Sequence, residues 1–176
     1  MKKLNKYQVY KELKQNFSFY KLYELYDSEE AYDELDITFK IIHKGQVFHI
    51  DEKSYNELER YKLIKENLNK TNRFLSDLVL TEDVLIFPTN PKYKLFPRIK
   101  GLYKKVKKFC PSLINFYNAY GAKLSKQELS EKVLNDFLII PFSFSYMDIN
   151  IIPYSANHFY FVNHHMDIFE VTWIDK

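Results

Sequence analysis

Hydrophobic residues recur every three or four positions at the start of the chain. Leu4, Tyr7, Tyr10, Leu13, Phe17 and Tyr20 fall on one side of a 3.6-residue helix, with lysine and glutamate between them. This spacing predicts a helix ending near Tyr26 to Glu30. Leu35 to Ile41 then alternates with period two, and Gln46 to Ile50 follows across His43-Lys44-Gly45. Such a pattern predicts a hairpin with Gly45 in the turn. Asp51 is placed to cap a second helix running through Tyr55, Leu58 and Leu63 to about Leu68. Arg73 to Phe87 reads as one long or two short strands, interrupted near Thr81-Glu82-Asp83.

Pro88-Thr89-Asn90-Pro91 marks a loop, and Pro97 soon follows. A short helix is expected from about Arg98 to Phe109. Pro111 suits the first turn of another, with Leu113, Ile114, Phe116 and Tyr117 on its buried side and Gly121 as the stop. Ser125 and Glu128 have capping-box spacing for a helix reaching Asn135. Strands are expected at Leu138 to Phe144, Asp148 to Ile152, His158 to Val162 and Ile168 to Trp173. These elements predict one α+β domain over residues 1–176. It has an N-terminal helix and hairpin, central helices, and a largely antiparallel sheet completed by C-terminal strands.

Composition narrows the chemistry. Hydrophobic residues make up 46% of the 176, enough for a sizeable core. The chain has 3 glycines, Gly45, Gly101 and Gly121, all isolated, so a Walker loop, a GxGxxG turn and a GxSxG elbow are excluded. A single cysteine, Cys110, excludes an intramolecular disulfide and a zinc site of several thiolates. No cofactor is expected. The basic residues at the start precede no apolar stretch, and no run approaches the ~20 apolar residues of a membrane helix, so a cytoplasmic protein without a membrane partner is expected.

The net charge of +3 conceals a division. Residues 1–83 carry 14 basic and 16 acidic side chains, residues 84–127 carry 10 basic and none acidic, and residues 128–176 carry 2 basic and 7 acidic. Within the first part, Glu24, Asp27, Glu29, Glu30, Asp33, Glu34 and Asp36 form an unbroken acidic segment. Strung along one segment, these acids give no catalytic pair on opposite sides of a substrate. They form a solvated face, and Glu29, Glu30, Asp33 and Glu34 would suit a basic partner.

The basic segment contains Lys92, Lys94, Arg98, Lys100, Lys104, Lys105, Lys107 and Lys108, interleaved with Tyr93, Phe96, Tyr103 and Phe109. Lysines could bind phosphates while aromatics stack on bases, and Lys100, Lys104, Lys105 and Lys108 lead that alternative. Against it, Ile99, Leu102, Val106 and Phe109 form a helical stripe that would be buried, leaving the lysines merely solvated. The 23 lysines against 3 arginines also disfavour bidentate phosphate recognition. His158, His165 and Asp167 could offer metal ligands, but Asn163-His164-His165 reads more simply as a polar turn between two strands. His43 and His49 read as solvent-facing, and Trp173 as core. Neither Cys110 nor Ser112 has a recognisable base, so no catalytic residue is expected.

The stretch Pro111-Ser112-Leu113-Ile114-Asn115-Phe116-Tyr117-Asn118-Ala119-Tyr120-Gly121 resembles the helix of SUKH-type bacterial immunity proteins. There a proline, an apolar helix with a central aromatic and a terminal Asn-Gly pair precede a run of strands. This chain has Tyr120 in place of that asparagine and lacks the second glycine. In its small size and bare catalytic inventory it also resembles immunity proteins of contact-dependent growth inhibition systems. The resemblance implies a non-catalytic protein-binding module that neutralises a bacterial toxin by occluding it, with a cognate toxin domain as partner.

Overall fold

The computed structural model describes residues 1–17, 36–45, 57–89, 93–95, 102–109, 111–143, 148–155, 158–163 and 166–174. In chain order these form β1 (Lys2–Leu4), α1 (Lys6–Asn16), β2 (Asp36–His43), α2 (Glu57–Val79), β3 (Val84–Pro88), α3 (Leu102–Phe109), a 3-10 helix (Pro111–Phe116), β4 (Gly121–Leu124), α4 (Glu131–Ser143), β5 (Ile149–Pro153), β6 (His158–Val162) and β7 (Ile168–Ile174). The strands make one seven-stranded sheet in the order β1-β4-β3-β5-β6-β7-β2. Every described pairing is antiparallel. The α+β expectation with its C-terminal strands therefore holds.

Both faces of the sheet are packed. On one, α2 and α4 bury Leu68, Leu75, Leu134 and Phe137 against Ile86, Ala122, Ile151 and Val162. On the other, α1 lays Val9 and Leu13 over Leu85, Phe87, Ile152 and Phe159, with Phe17 at its end. Three layers result, with the sheet in the middle.

The first helix is shorter than its periodicity predicts. Leu4 belongs to β1, and Asn5 starts the helix by accepting the Gln8 N–H at 2.8 Å while Gln8 Oε1 takes the Asn5 N–H at 2.9 Å. This reciprocal cap outweighs the apolar spacing that would draw Leu4 in. The helix stops at Asn16, and Phe17 is already extended. The buried side runs through Val9 and Leu13, leaving Tyr7 exposed.

Two expected strands are helical. Arg73 to Val79 ends α2, because Leu68, Leu75 and Val79 meet the core at helical spacing. Thr71, Asn72 and Ser76 are also buried, and these polar residues disguise the apolar side. Two of them are bonded: Asn72 Nδ2 donates to the Glu131 carbonyl at 2.9 Å, across to α4, and Ser76 Oγ to Asn72 Oδ1 at 3.4 Å. The turn at Thr81-Glu82-Asp83 is where the interruption was expected, and Val84–Pro88 is the strand beyond it. Leu138 to Ser143 likewise continues α4, since a continuous apolar run has no period to separate helix from strand.

Helix punctuation moves as well. Ser125 and Glu128 do bond, at 3.1 and 3.0 Å, but they close an isolated turn. Ser130 caps α4 instead, its Oγ accepting the Val133 N–H at 3.3 Å. After Pro111–Phe116 the left-handed residue is Asn118, with φ 64°, not Gly121. Gly121 opens β4, where a Cβ would lie 2.6 Å from Val9 Cγ2 and 3.2 Å from the Ile86 carbonyl oxygen. The glycine is needed because α1 crosses the sheet there.

The first strand of the expected N-terminal hairpin is β2, which pairs with β7 from Asp36↔Ile174 to His43↔Ile168, with a bulge between Ile41 and His43. Gln46 to Ile50, the Asp51 cap, His49 and Cys110 lie outside the described residues. His43 is not solvent-facing as expected. Its ring stacks on Phe74 at 5.0 Å, with Nε2 3.5 Å from Thr71 Oγ1.

Candidate functional site: the two edges of the sheet

Among the described residues, β2 and β1 are the outer strands of the sheet, and their chemistry differs. Alternation along β2 sends Phe39 and Ile41 to one side, opposite Val171 and Phe169 of β7. Val171 is buried in the α1-side core. Phe39 and Ile41, one strand further out, are 53% and 48% exposed. Phe169 is half-buried beside them, its ring 5.5 Å from that of Phe161. The edge therefore presents a row of apolar side chains that continues the core outward. The chain enters β2 at Asp36, the last residue of the acidic segment. Glu29, Glu30, Asp33 and Glu34 themselves lie outside the described residues.

The opposite edge is basic. Lys2↔Lys123 and Leu4↔Gly121 are register partners in β1 and β4, so the N-terminus joins a segment more than a hundred residues away. Lys3 Nζ donates to the Tyr117 carbonyl at 2.8 Å, tying β1 to the chain just after the 3-10 helix. Tyr103 of α3 meets Tyr117 edge-on at 5.1 Å, and Lys94 Nζ lies 5.1 Å above the Tyr120 ring. Together β1, α1, α3, the 3-10 helix and β4 hold ten lysines, no arginine and one carboxylate, Glu12. That carboxylate is engaged: its Oε2 accepts from Tyr154 Oη at 2.5 Å and from Lys123 Nζ at 3.0 Å. Burial pushes its pKa up, but the Tyr154 and Lys123 hydrogen bonds outweigh it and hold the carboxyl below its usual range. Burial and then the Glu12 carboxylate push the Tyr154 phenol up.

Of the lysines singled out in the basic segment, Lys104 and Lys108 are exposed on α3 beside Lys107, and Lys105 is on the same helix. Lys100 lies outside the described residues. Tyr103 on α3 is 46% exposed, and Tyr93, next to Lys94 in the chain, is 51% exposed. The basic segment therefore presents aromatic rings, as well as lysines, at the surface.

The histidine group does not assemble around His158 and Asp167. His158 begins β6, opposite Thr172, while Asp167 follows the turn at that strand's far end, and five residues of strand span about 13 Å. The His158 ring instead lies against Tyr160, with Nε2 3.1 Å from its hydroxyl. Asp167 clasps two loops, its Oδ1 accepting the Gly45 N–H at 2.9 Å and its Oδ2 the Asn163 amide at 3.3 Å. His165 lies outside the described residues. Among the described residues, no group of three or more His, Cys, Asp or Glu could hold a metal ion, and no helix is long and apolar enough to cross a membrane.

Sequence reasoning missed Phe39 and Ile41, whose alternation reads as a core-facing strand, and the lysines of β1 and α1, whose segment sums to a slight negative charge. We find no family model, curated protein or solved structure that matches this chain.

Proposed function

We propose that the chain is a non-catalytic protein-binding module of the immunity type, which neutralises a toxin domain by binding and occluding it in the cytoplasm. The observation that carries this reading is the adjacent pair Phe39 and Ile41, exposed on the outer strand β2 at the end of the acidic segment. Apolar anchors bordered by charge are the arrangement of protein-binding hot spots, in which a few side chains supply most of the affinity. The acidic segment would steer a basic partner toward that edge and raise the rate of encounter.

Co-expression with the product of the adjacent upstream gene tests the reading. Co-purification of the two, and protection of the cells, is the expected result. Replacing Phe39 and Ile41 by serine should weaken the complex at least tenfold through faster dissociation. Reversing Glu29, Glu30, Asp33 and Glu34 should mainly slow association. Retention of full affinity by both variants would overturn the assignment of this edge.

A further inference from the structure

We infer that the β1–β4 edge is a binding surface for single-stranded nucleic acid. It lies at the other end of the sheet from the edge proposed to bind a protein, and it stands whether or not that edge does.

The first ground is charge assembled by topology. Antiparallel pairing of β1 with β4 brings Lys2 and Lys3 to this edge, where Lys3 reaches the Tyr117 carbonyl beside α3, and α1 with its lysines leads from the same edge across the other face of the sheet. On these elements ten lysines face one carboxylate, and Glu12 is bonded to Lys123 and Tyr154. At the rim, the Glu128 carboxylate takes the Met1 ammonium. A lysine-rich composition alone would not leave β1, α3 and β4 with seven lysines and no acid. Lysine is depleted from protein–protein interfaces, because a flexible, strongly hydrated ammonium is poorly desolvated there. On a phosphate backbone the same groups release counterions and supply most of the binding.

The second ground is the pair of exposed rings. Tyr93, next to Lys94 in the chain, and Tyr103 on α3 are both exposed, and Tyr103 is steadied by its edge contact with Tyr117. Bases offer their faces to such rings only when they are unpaired, which selects single strands over duplex. The elements carry no arginine to read guanine bidentately, so recognition is tolerant of sequence.

Fluorescence anisotropy of the full chain with labelled oligo(dT) and oligo(U) tests this. Affinity should fall with salt, with a slope of about −0.7 per phosphate neutralised. Changing Lys104, Lys107 and Lys108 to glutamine should flatten that slope. Changing Lys3 and Lys6 to glutamine should flatten it too, which a site confined to α3 would not show. Tyr93→Ala and Tyr103→Ala should each weaken binding about tenfold while leaving the slope unchanged. These side chains are exposed, and an unchanged thermal midpoint confirms that each variant is folded. Absence of binding at low salt overturns the inference, as does affinity indifferent to both tyrosines. Displacement of the oligonucleotide by polyglutamate at equal charge concentration would assign the edge to an acidic protein instead.

Discussion

Glu12 accepts the hydroxyl proton of Tyr154 at 2.5 Å across 142 positions of sequence. The same carboxylate oxygen takes Lys123 at 3.0 Å, and the Lys123 ammonium lies 4.4 Å above the Tyr154 ring. Helix α1, strand β4 and the end of β5 are thereby tied at one polar point within an otherwise apolar contact. Because the hydrogen bonds hold Glu12 below its ordinary value of 4.5, the unfolded chain binds this proton more readily than the folded one. The contribution is complete above that value and fades as pH falls through the folded one. Glu12→Gln should cost about 1–2 kcal/mol in urea unfolding at pH 7 and less near pH 3, below the ordinary carboxyl value, where part of the carboxylate's contribution has been lost. An equal loss at both pH values would show that the charge is irrelevant.

Gly121→Ala should destabilise by about 1–3 kcal/mol, because the new methyl group would overlap Val9 Cγ2 at 2.6 Å beneath α1. Adding Val9→Ala removes the obstacle. The double variant should then lose less than the sum of the two single losses, and strict additivity would place the strain elsewhere.

The sheet's C-terminal half was legible because β6 and β7 are short runs rich in aromatic and β-branched residues, parted in sequence by the polar Asn163-His164-His165, and their observed bounds, His158–Val162 and Ile168–Ile174, nearly match the expected ones. Helices α2 and α4 were not, for opposite reasons. Buried Thr71, Asn72 and Ser76 break the apolar period of one, and an unbroken apolar run erases the period of the other. The basic edge needed topology as well as composition. Lys2 and Lys123 become register partners only through a strand of three residues, too short to leave a period of its own. The acidic segment is plain in the sequence, yet its apolar neighbours Phe39 and Ile41 are not. Alternation shows which residues share a side of a strand, not whether another layer covers them.

Asn150 sits in the centre of the sheet, opposite Phe87 on β3 and Phe161 on β6, and is 3% exposed. Its Oδ1 has no hydrogen-bond partner among the described residues. A buried acceptor left unmade costs about 1–3 kcal/mol, so Asn150→Leu should raise stability by an amount near the lower end of that range. The measurement is the urea midpoint at constant m-value. A lower midpoint would mean that the amide's polarity is needed where the sequence places it.

His43 supplies a second acid sensitivity, separable from that of Glu12. Burial between β2 and α2 lowers the imidazole pKa, and Asp167 opposes the shift without cancelling it. The folded chain therefore holds the ring neutral where the unfolded chain, with a value near 6.5, already takes up a proton. Stability from this group is complete above pH 6.5 and is lost as pH falls through the lower folded value. His43→Phe keeps an aromatic ring to stack on Phe74 but cannot titrate, so its urea midpoint should decline less than that of the wild type between pH 7 and pH 5. Proton NMR of the His43 ring should place its midpoint below 6.5, and Asp167→Asn should move it lower still by removing the opposing charge. A midpoint that rises in Asp167→Asn would show that the carboxylate acts on His43 chiefly through its hold on Gly45, by letting water reach the ring.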